Sequence, residues 1–420
     1  MNRIYLDYAA TTPMDKEVKK AMEPHFFMKF GNPNSLHYFG QQARKAVDEA
    51  REKIAKSIGA EFREVIFTGS ATESNNIALR GITQNYAEIF RDSPRSVRVS
   101  QRPRLIISAV EHESVLETAR DLSARGGSAL GGEKEGVEVI YLPVNRQGVV
   151  DLKKLKESLN ENTVLVSIMY ANNEIGTIQP ISKISEIIRD FRSASHVAFP
   201  LLHVDAVQAF QFLNCNVNDL GVDLMTLSAH KIYGPKGTGL LYIKQSDALK
   251  AISYKLKAII TGGGQEFSLR SGTENVAGIV GFAKAVELAD KNRHKEALRI
   301  AKLKAYFLKE LKKIKPDVQI NGASSITNYQ LPITNLPNIL NIYFPNQKAE
   351  ELLIRLDLNG VAASSGSACA SFSAKPSYVL KAVGLSGDKL HSNLRFSMGK
   401  FTKKEDIDQA IKIIKIIFRK

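Results

Sequence analysis

Residues 222–237 read VDLMTLSAHKIYGPKG. The apolar run that ends at Leu227 predicts a buried strand, and the Gly/Pro turn after Lys231 ends it. A strand that stops on Ser-x-His-Lys holds an amine rigidly at the edge of a sheet, which is how a lysine is presented to an aldehyde cofactor. An ordinary surface lysine would also fit these residues alone, so the interpretation of Lys231 depends on the rest of the chain.

Around this segment, short apolar runs alternate with helical periodicities, which predicts an α/β fold with a mostly parallel sheet. Ligands of such sheets bind outside the carboxyl ends of the strands. After about residue 290 the pattern changes to long basic helices and a Pro/Asn-rich stretch, which predicts a second, smaller domain that ends on a helix opened by a capping box at 402–405. We predict strands at 65–68, 105–108, 137–141, 164–168, 201–204, 224–227 and 339–344, and helices at 41–58, 74–89, 113–124 and 181–191.

The composition limits the class of protein. The chain has 420 residues, 44% of them hydrophobic and 24% charged, which is typical of a soluble globular protein with room for two domains. The two cysteines form no CxxC pair and the N-terminus has no apolar signal core, so we expect a cytoplasmic protein without a disulfide framework, a zinc cluster or a membrane anchor. The net charge of +15 is spread over helical patterns, so we expect no direct nucleic-acid binding, although attraction of an acidic partner stays open. Two insertions, 91–104 and 125–136, are assigned no chemistry.

Polar residues follow several of the predicted strands. The small residues at 69–74 lead into a helix, where backbone amides and the Thr72 hydroxyl could hold a phosphate or where a serine could simply cap the helix. His112 could stack on a planar ring or be structural. Asn172 and Asn173 could form an ordinary turn or donate to a ring oxygen or a carboxylate.

The next two strands complete this set. Asp205, three residues before Gln208, could pair with a protonated pyridine nitrogen or cap a helix. The last of these strands brings Ser228 and His230 beside Lys231. A phosphate cradle, a stacking imidazole, a ring-nitrogen counterion and a Schiff-base lysine are together what pyridoxal 5′-phosphate requires, so we predict a site for this cofactor.

A cysteine and an arginine near the C-terminus could act on the substrate. Cys369 lies in a run of small residues, which is typical of an exposed loop with a reactive thiol, although a buried residue in a serine-rich turn would also fit. Arg395 could bind a substrate carboxylate through two hydrogen bonds or form a surface ion pair. Cys215 has no such setting, and we interpret it as structural.

Seven segments in family order closely resemble the cysteine desulfurases of the NifS/IscS type, which belong to the class V aminotransferase group of fold type I pyridoxal phosphate enzymes. The resemblance runs from about residue 4 to about residue 415, interrupted by the two insertions. The segments are LDYAATTP at 6–13, GNPNSLH at 31–37, NNEIG at 172–176, HVDAVQ at 203–208, SAHKIYGPKG at 228–237, RSGTEN at 270–275 and SGSAC at 365–369.

The resemblance implies a large cofactor domain at 15–290 with a seven-stranded sheet, and a smaller α+β domain at 1–14 and 291–420 that carries the catalytic-cysteine loop. It also implies a homodimer with each active site at the subunit interface. The implied cofactor site is Lys231 as the Schiff-base residue, His112 stacking on the ring and moving protons, Asp205 on the pyridine nitrogen, Gln208 on the ring hydroxyl, Asn172 beside the cofactor, Ala71, Thr72, Ser228 and His230 on the phosphate, and Thr273 reaching the phosphate from the other subunit. Asn172 and Arg395 would bind the substrate carboxylate.

The implied reaction removes sulfur from L-cysteine, giving L-alanine and a persulfide on Cys369. The sulfur would pass to proteins of iron–sulfur cluster assembly or tRNA thiolation. No resident metal is implied, although Cys369 could transiently contact a partner's iron–sulfur cluster. Other enzymes of the same fold stay open, namely a selenocysteine lyase, a cysteine β-lyase or an aminotransferase for small amino acids, as does an inactive scaffold that only binds partners.

Overall fold

The computed structural model of the protein describes residues 3–84, 102–124, 136–245, 256–322, 334–366 and 376–419. In these ranges the strands, β1 to β12, are Ile4–Tyr5, Val65–Thr68, Arg104–Ser108, Glu138–Leu142, Thr163–Ser167, Leu201–Asp205, Leu224–Ser228, Gly239–Ile243, Gln319–Ile320, Ile339–Tyr343, Val361–Ala362 and Asn393–Ser397. The α-helices, α1 to α12, are Lys16–Met22, Pro24–Phe27, Tyr38–Ile58, Ala71–Gln84, Glu113–Ala124, Leu152–Ser158, Ile181–Ser195, Val217–Leu220, Val276–Ile314, Ala349–Leu358, Tyr378–Ala382 and Lys404–Arg419.

Seven of the described strands form the main sheet, in the order β2-β8-β7-β6-β5-β3-β4. β8 runs antiparallel to both of its neighbours, and the remaining pairs are parallel. The carboxyl ends of β2, β3, β5, β6 and β7 therefore meet at one edge. Neighbouring residues on a strand point to opposite faces, so Ile106 belongs to one buried cluster while Leu105 and Ile107 belong to another. The expected α/β fold with a mostly parallel seven-stranded sheet is confirmed.

The element bounds differ from the predictions in detail. β8 was not among the predicted strands. Its apolar run comes directly after a Gly/Pro turn and shows no clear alternation of apolar and polar residues. The helix predicted at 74–89 begins at Ala71, where Ser70 Oγ accepts the amide of Glu73 at 3.1 Å, and residues 85–89 lie outside the described ranges. The predicted capping box at 402–405 is wrong, because Thr402 Oγ1 accepts from the amide of Gly399 while Asp406 accepts from Lys403.

A second group of elements packs around its own apolar cluster. β12, β10 and β9 form an antiparallel sheet, and β1 pairs with β11. Ile4 and Leu6 share one cluster with Phe307, Phe396 and other residues from the C-terminal part of the chain. The members of this cluster lie within 1–14 and 291–420, and the division from 15–290 stays a prediction; α9 crosses the boundary at 290. Among the described helices, none is long and apolar enough to cross a membrane.

A buried ion pair fixes the turn that precedes the 270–275 motif. Arg51 is 2% exposed, and its Nη1 and Nη2 donate to Glu266 at 2.8 and 2.7 Å. The rings of Phe62, Phe67 and Phe267 surround the guanidinium. Glu266 and Phe267 have positive φ values of 47° and 57°, which non-glycine residues adopt only when their surroundings hold them there. The ion pair therefore holds a strained turn in place.

We expect Arg51→Met to lower the free energy of unfolding by about 3–5 kcal/mol, because the substitution leaves the carboxylate of Glu266 buried without its cation. Urea denaturation of the purified protein measures this loss. Lys53→Met, an exposed substitution on the same helix, is the control and should change the midpoint little. Equal midpoints for the two variants would contradict this account of the ion pair.

Candidate active site

Lys231 lies directly after β7, in the short 3₁₀ turn Ala229–Lys231. Its Nζ donates to the carbonyl oxygens of Ala9 and Ala10 at 2.6 and 2.7 Å. Gln208 Nε2 donates to the same Ala9 oxygen at 2.9 Å. The ends of β6 and β7 and the N-terminal segment therefore meet at one point, with the amine oriented by two carbonyl groups.

His230 lies beside Lys231 and is largely buried. Its Nδ1 is 3.1 Å from the Oγ1 of Thr11. Burial lowers the pKa of His230 to about 4, and the charges of Lys231 and Lys236 add to the effect. The imidazole is therefore neutral at pH 7, so it can donate a hydrogen bond to an anion but adds no positive charge.

Asp205 ends β6 and is buried. Its Oδ1 accepts from the amide of Val207 at 3.0 Å, and its Oδ2 accepts from Asn75 Nδ2 at 2.9 Å. No salt bridge to Asp205 is present in the part of the chain that the structure describes. A buried carboxylate without a cation is costly, so its position suits the cationic nitrogen of a bound ring.

A short chain of hydrogen bonds joins Asp205 to His112. Asn75 Nδ2 also contacts Ser114 Oγ at 2.8 Å, and that oxygen is 2.9 Å from His112 Nδ1. Sequence analysis missed Asn75 and Ser114. The available signal was the spacing of Asn75, which lies one helical turn after Thr72 and so on the same side of α4. The two residues fix the orientation of the imidazole relative to the carboxylate.

A second buried carboxyl group, Glu111, lies next to this chain. Its Oε1 accepts from the amide of Met169 at 2.6 Å, and its Oε2 has no hydrogen-bond partner within the described ranges. Complete burial raises the pKa of Glu111 well above its usual value, and the charge of Asp205 raises it further. Burial and the charge of Asp205 therefore both disfavour the ionised form of Glu111. Sequence analysis assigned Glu111 no role.

Four of the residues expected to hold a phosphate lie at the carboxyl ends of β2 and β7, which flank β8 in the sheet. Ala71 and Thr72 begin α4, where the first amides of a helix have no intrahelical acceptor. Ser228 is the last residue of β7 and is buried. Thr273 is exposed and lines a small cleft together with Gly69 and Gly237. Its exposure leaves it accessible to a second chain.

Arg395 lies on β12 and is 1% exposed, so it is not a surface residue. Its Nη2 donates to Asp7 Oδ1 at 2.8 Å and its Nη1 to the carbonyl oxygen of Asn173 at 2.9 Å, while its Nε has no hydrogen-bond partner in the described part of the chain. Asn172 is fully buried, and its Nδ2 donates to the carbonyl oxygen of Val110 at 3.0 Å. The two residues expected at the substrate carboxylate therefore lie at one turn, 172–176.

The structure describes one of the two cysteines. Cys369 lies outside the described residues. Cys215 is buried, and burial raises its pKa to about 12, so its thiol stays protonated and unreactive at neutral pH. This agrees with the interpretation of Cys215 as structural.

Comparisons with known proteins agree with one another. The family model of the class V aminotransferases matches residues 4–410. The chain is 44% identical to the cysteine desulfurase IscS of Dictyoglomus turgidum, covering 99% of this chain and 95% of that protein, and 40% identical to the cysteine desulfurase of Homo sapiens, covering 97% and 80%. A solved structure of a NifS-like protein matches with a TM-score of 0.83 and 35% identity over 99% of both chains. The chain therefore belongs to the class V aminotransferase family and, within it, to the cysteine desulfurases of the NifS/IscS type, which are pyridoxal phosphate enzymes.

Proposed function

We propose that this chain binds pyridoxal phosphate at the carboxyl edge of its main sheet and removes the sulfur atom from L-cysteine, leaving L-alanine and a persulfide on Cys369. One observation carries the proposal. A buried carboxyl group, Asp205, and an oriented amine, Lys231, lie at the carboxyl ends of two neighbouring parallel strands. The persulfide on Cys369 would then pass its outer sulfur atom to a protein of iron–sulfur cluster assembly or of tRNA thiolation.

The residues present fit the cofactor. Among the described residues no cation pairs with the buried carboxylate of Asp205, and a protonated ring nitrogen would supply one. The amides of Ala71 and Thr72 and the side chains of Ser228 and His230 would hold the phosphate, because a helix N-terminus attracts an anion and neutral His230 can donate to it. Gln208 would donate to the ring hydroxyl, and His112 and Asn172 would lie against the ring.

When bound, the cofactor links covalently to amines through its aldehyde and draws electrons away from Cα of the substrate. Lys231 Nζ accepts the Cα proton, and the carbonyl groups of Ala9 and Ala10 orient that amine. Asp205 keeps the ring nitrogen protonated. His112, fixed through Ser114 and Asn75, moves a proton at its ring nitrogen. Arg395 and Asn172 hold the substrate carboxylate, with the Arg395 Nε as a donor that lacks an acceptor in the described residues.

The electrons of the sulfur transfer balance without an external oxidant. The thiolate of Cys369 attacks the sulfur of L-cysteine, so that an S–S bond forms while the Cβ–S bond breaks. The electron pair of the broken bond stays on Cβ, which takes up a proton and becomes the methyl group of L-alanine. The thiol of Cys369 is oxidised to a persulfide, and Cβ of the substrate is reduced.

We propose that two copies of the chain form a homodimer through a surface near the 31–37 motif. Large apolar side chains are exposed at 26–39, and patches of this kind on a soluble protein mark interaction sites. The exposed position of Thr273 would allow it to reach the phosphate of the other subunit. The exposed members of this surface are Phe26, Phe27, Met28, Phe30, Leu36, Tyr38 and Phe39.

We also place the protein in the cytoplasm, where a reducing environment keeps a persulfide-forming thiol available. The partners would be L-cysteine and sulfur-acceptor proteins, without nucleic acid or a membrane. A selenocysteine lyase would share most of this site, so the product with each substrate must be compared.

Lys231→Ala should abolish the visible band of lysine-linked pyridoxal phosphate and lower the rate of L-alanine formation by about 10²–10⁴-fold, because the amine that binds the cofactor and moves the Cα proton is lost. Absorbance spectra and an L-alanine assay measure both effects. Lys236→Ala, an exposed lysine five residues away, is the matched control. An unchanged spectrum in Lys231→Ala would refute the assignment.

Cys369→Ala should keep the cofactor band but lose sulfide release from L-cysteine in the presence of dithiothreitol, because no thiol is left to take up the sulfur. Cys215→Ala should retain this activity, since that thiol is buried and protonated. Full sulfide release by Cys369→Ala would exclude the persulfide role.

Phe27→Asp combined with Leu36→Asp should weaken dimer formation by about a hundredfold or more, because each substitution would bury an unpaired charge in the interface. Sedimentation at several protein concentrations measures the dissociation constant. Leu358→Asp is the control, because its side chain is 78% exposed, as is that of Phe27, but lies on α10. An unchanged dimer in the double variant would place the interface elsewhere.

A further inference from the structure

Glu174 contacts both ends of the segment that contains Cys369. We name residues 364–366 and 376–378 the two stems, because residues 367–375 lie between them in the sequence. Ser377 Oγ in the second stem donates to Glu174 Oε2 at 2.6 Å. Gly366 in the first stem lies so close that a Cβ placed on it would be 3.3 Å from the same oxygen. Glu174 itself is 1% exposed, whereas Ser377 is half-buried, so the hydrogen bond between them is partly buried.

The backbone of Glu174 belongs to the turn that binds Arg395. The amide of Glu174 donates to Asn172 Oδ1 at 2.9 Å, and its carbonyl oxygen accepts from Asn341 Nδ2 at 3.2 Å. Arg395 Nη1 binds the preceding carbonyl, that of Asn173. The carboxyl group that meets the stems is therefore fixed relative to the residues proposed to hold the substrate carboxylate.

Each stem has a second anchor at the site. In the first stem, Ser364 exchanges backbone hydrogen bonds with Arg395. In the second stem, the Tyr378 hydroxyl donates to the carbonyl oxygen of Glu111 at 2.7 Å, one residue before His112. Because Cys369 is three residues from Gly366, chain length alone keeps their Cα atoms within about 11 Å of each other. Fixing the stems therefore limits where the thiol can go.

A cavity of about 1200 Å³ lies beside the stems, and Glu174, Gly366 and Ser377 line it together with Asp7, the partner of Arg395. One cavity thus borders the stems and the carboxylate that holds the guanidinium. The contacts of Glu174 lie on the wall of this space.

We propose that Glu174 is a positioning residue for sulfur transfer: its carboxyl group binds the second stem through Ser377 and lies against Gly366 of the first stem, and so directs Cys369 toward the substrate. The proposal rests on the proposed role of Cys369 as the sulfur acceptor. Glu174 acts through the stems and touches no reacting atom.

A pair of substitutions tests the contact. Ser377→Asp keeps an oxygen that can cap the following helix, where the Leu380 amide now donates to Ser377 Oγ at 3.1 Å, but sets a second carboxyl group against Glu174. We expect it to slow persulfide formation at Cys369 by about tenfold or more, because a partly buried hydrogen bond to an ionisable group is replaced by repulsion. Adding Glu174→Gln should restore the rate to within about threefold of the unmodified enzyme, since the amide can donate to the new carboxylate.

Rapid quenching followed by alkylation and mass spectrometry measures the persulfide at residue 369 in the holoenzyme. The absorbance change on adding L-cysteine should stay the same in all variants, because substrate binding does not need the stem contact; a merely structural defect would change both measurements. Glu350→Gln, an exposed carboxyl group on α10 that lines the same cavity, should leave both unchanged.

Two negative results can be told apart. If the unmodified enzyme forms no persulfide at 369, the proposed function fails and the inference fails with it. If the unmodified enzyme is labelled at 369 but Ser377→Asp is labelled as fast, or Glu174→Gln gives no rescue, only the role of Glu174 is overturned.

Discussion

The carboxyl ends of parallel strands must share one edge of a sheet, and the chemistry of this protein depends on that constraint. β6 and β7 are adjacent and parallel, so Asp205 and Lys231 leave the sheet side by side. β2, β3 and β5 end at the same edge and bring 69–74, His112 and Asn172 to it. These residues, far apart in the chain, lie at one edge because each follows a strand of the main sheet.

Side chains of the second group of elements form hydrogen bonds to the 172–176 turn of the first group. Asn335 Nδ2 donates to the carbonyl oxygen of Ile175, and Asn341 Nδ2 donates to that of Glu174. Lys304 Nζ in turn donates to Asn335 Oδ1 at 3.0 Å, and burial lowers the pKa of this lysine to about 7. A buried amine is retained here because three oxygen atoms accept from it. The 172–176 turn is therefore held by side chains from the second group of elements.

The sequence predicted what depends on local pattern and on family motifs. Strand periodicity located Asp205 and Lys231, because each closely follows an apolar run. It could not reveal Ser114 or Glu111, since a polar residue inside a helix or loop has no local mark of burial, and the only signal for Asn75 was its helical spacing from Thr72. Nor could it predict that Arg395 pairs with Asp7, which lies 388 residues away in the chain. Such contacts follow from how β12 and the N-terminal segment pack, and only the folded structure contains that information.

The sizes of two effects, loop-closure entropy and the orientation of the reacting groups, decide how the stems can change the rate of sulfur transfer. If Glu174 released both stems, even a fully flexible connection would lengthen only from about nine to about thirteen residues, and loop-closure entropy would then lower the chance of a given encounter by less than about twofold. A correctly oriented reaction pair gains far more than this, because misplacement by about 1 Å can cost about 10²-fold in rate. The contact of Ser377 with Glu174 therefore acts by setting the direction in which the chain leaves the stems, with little contribution from the length of the connection.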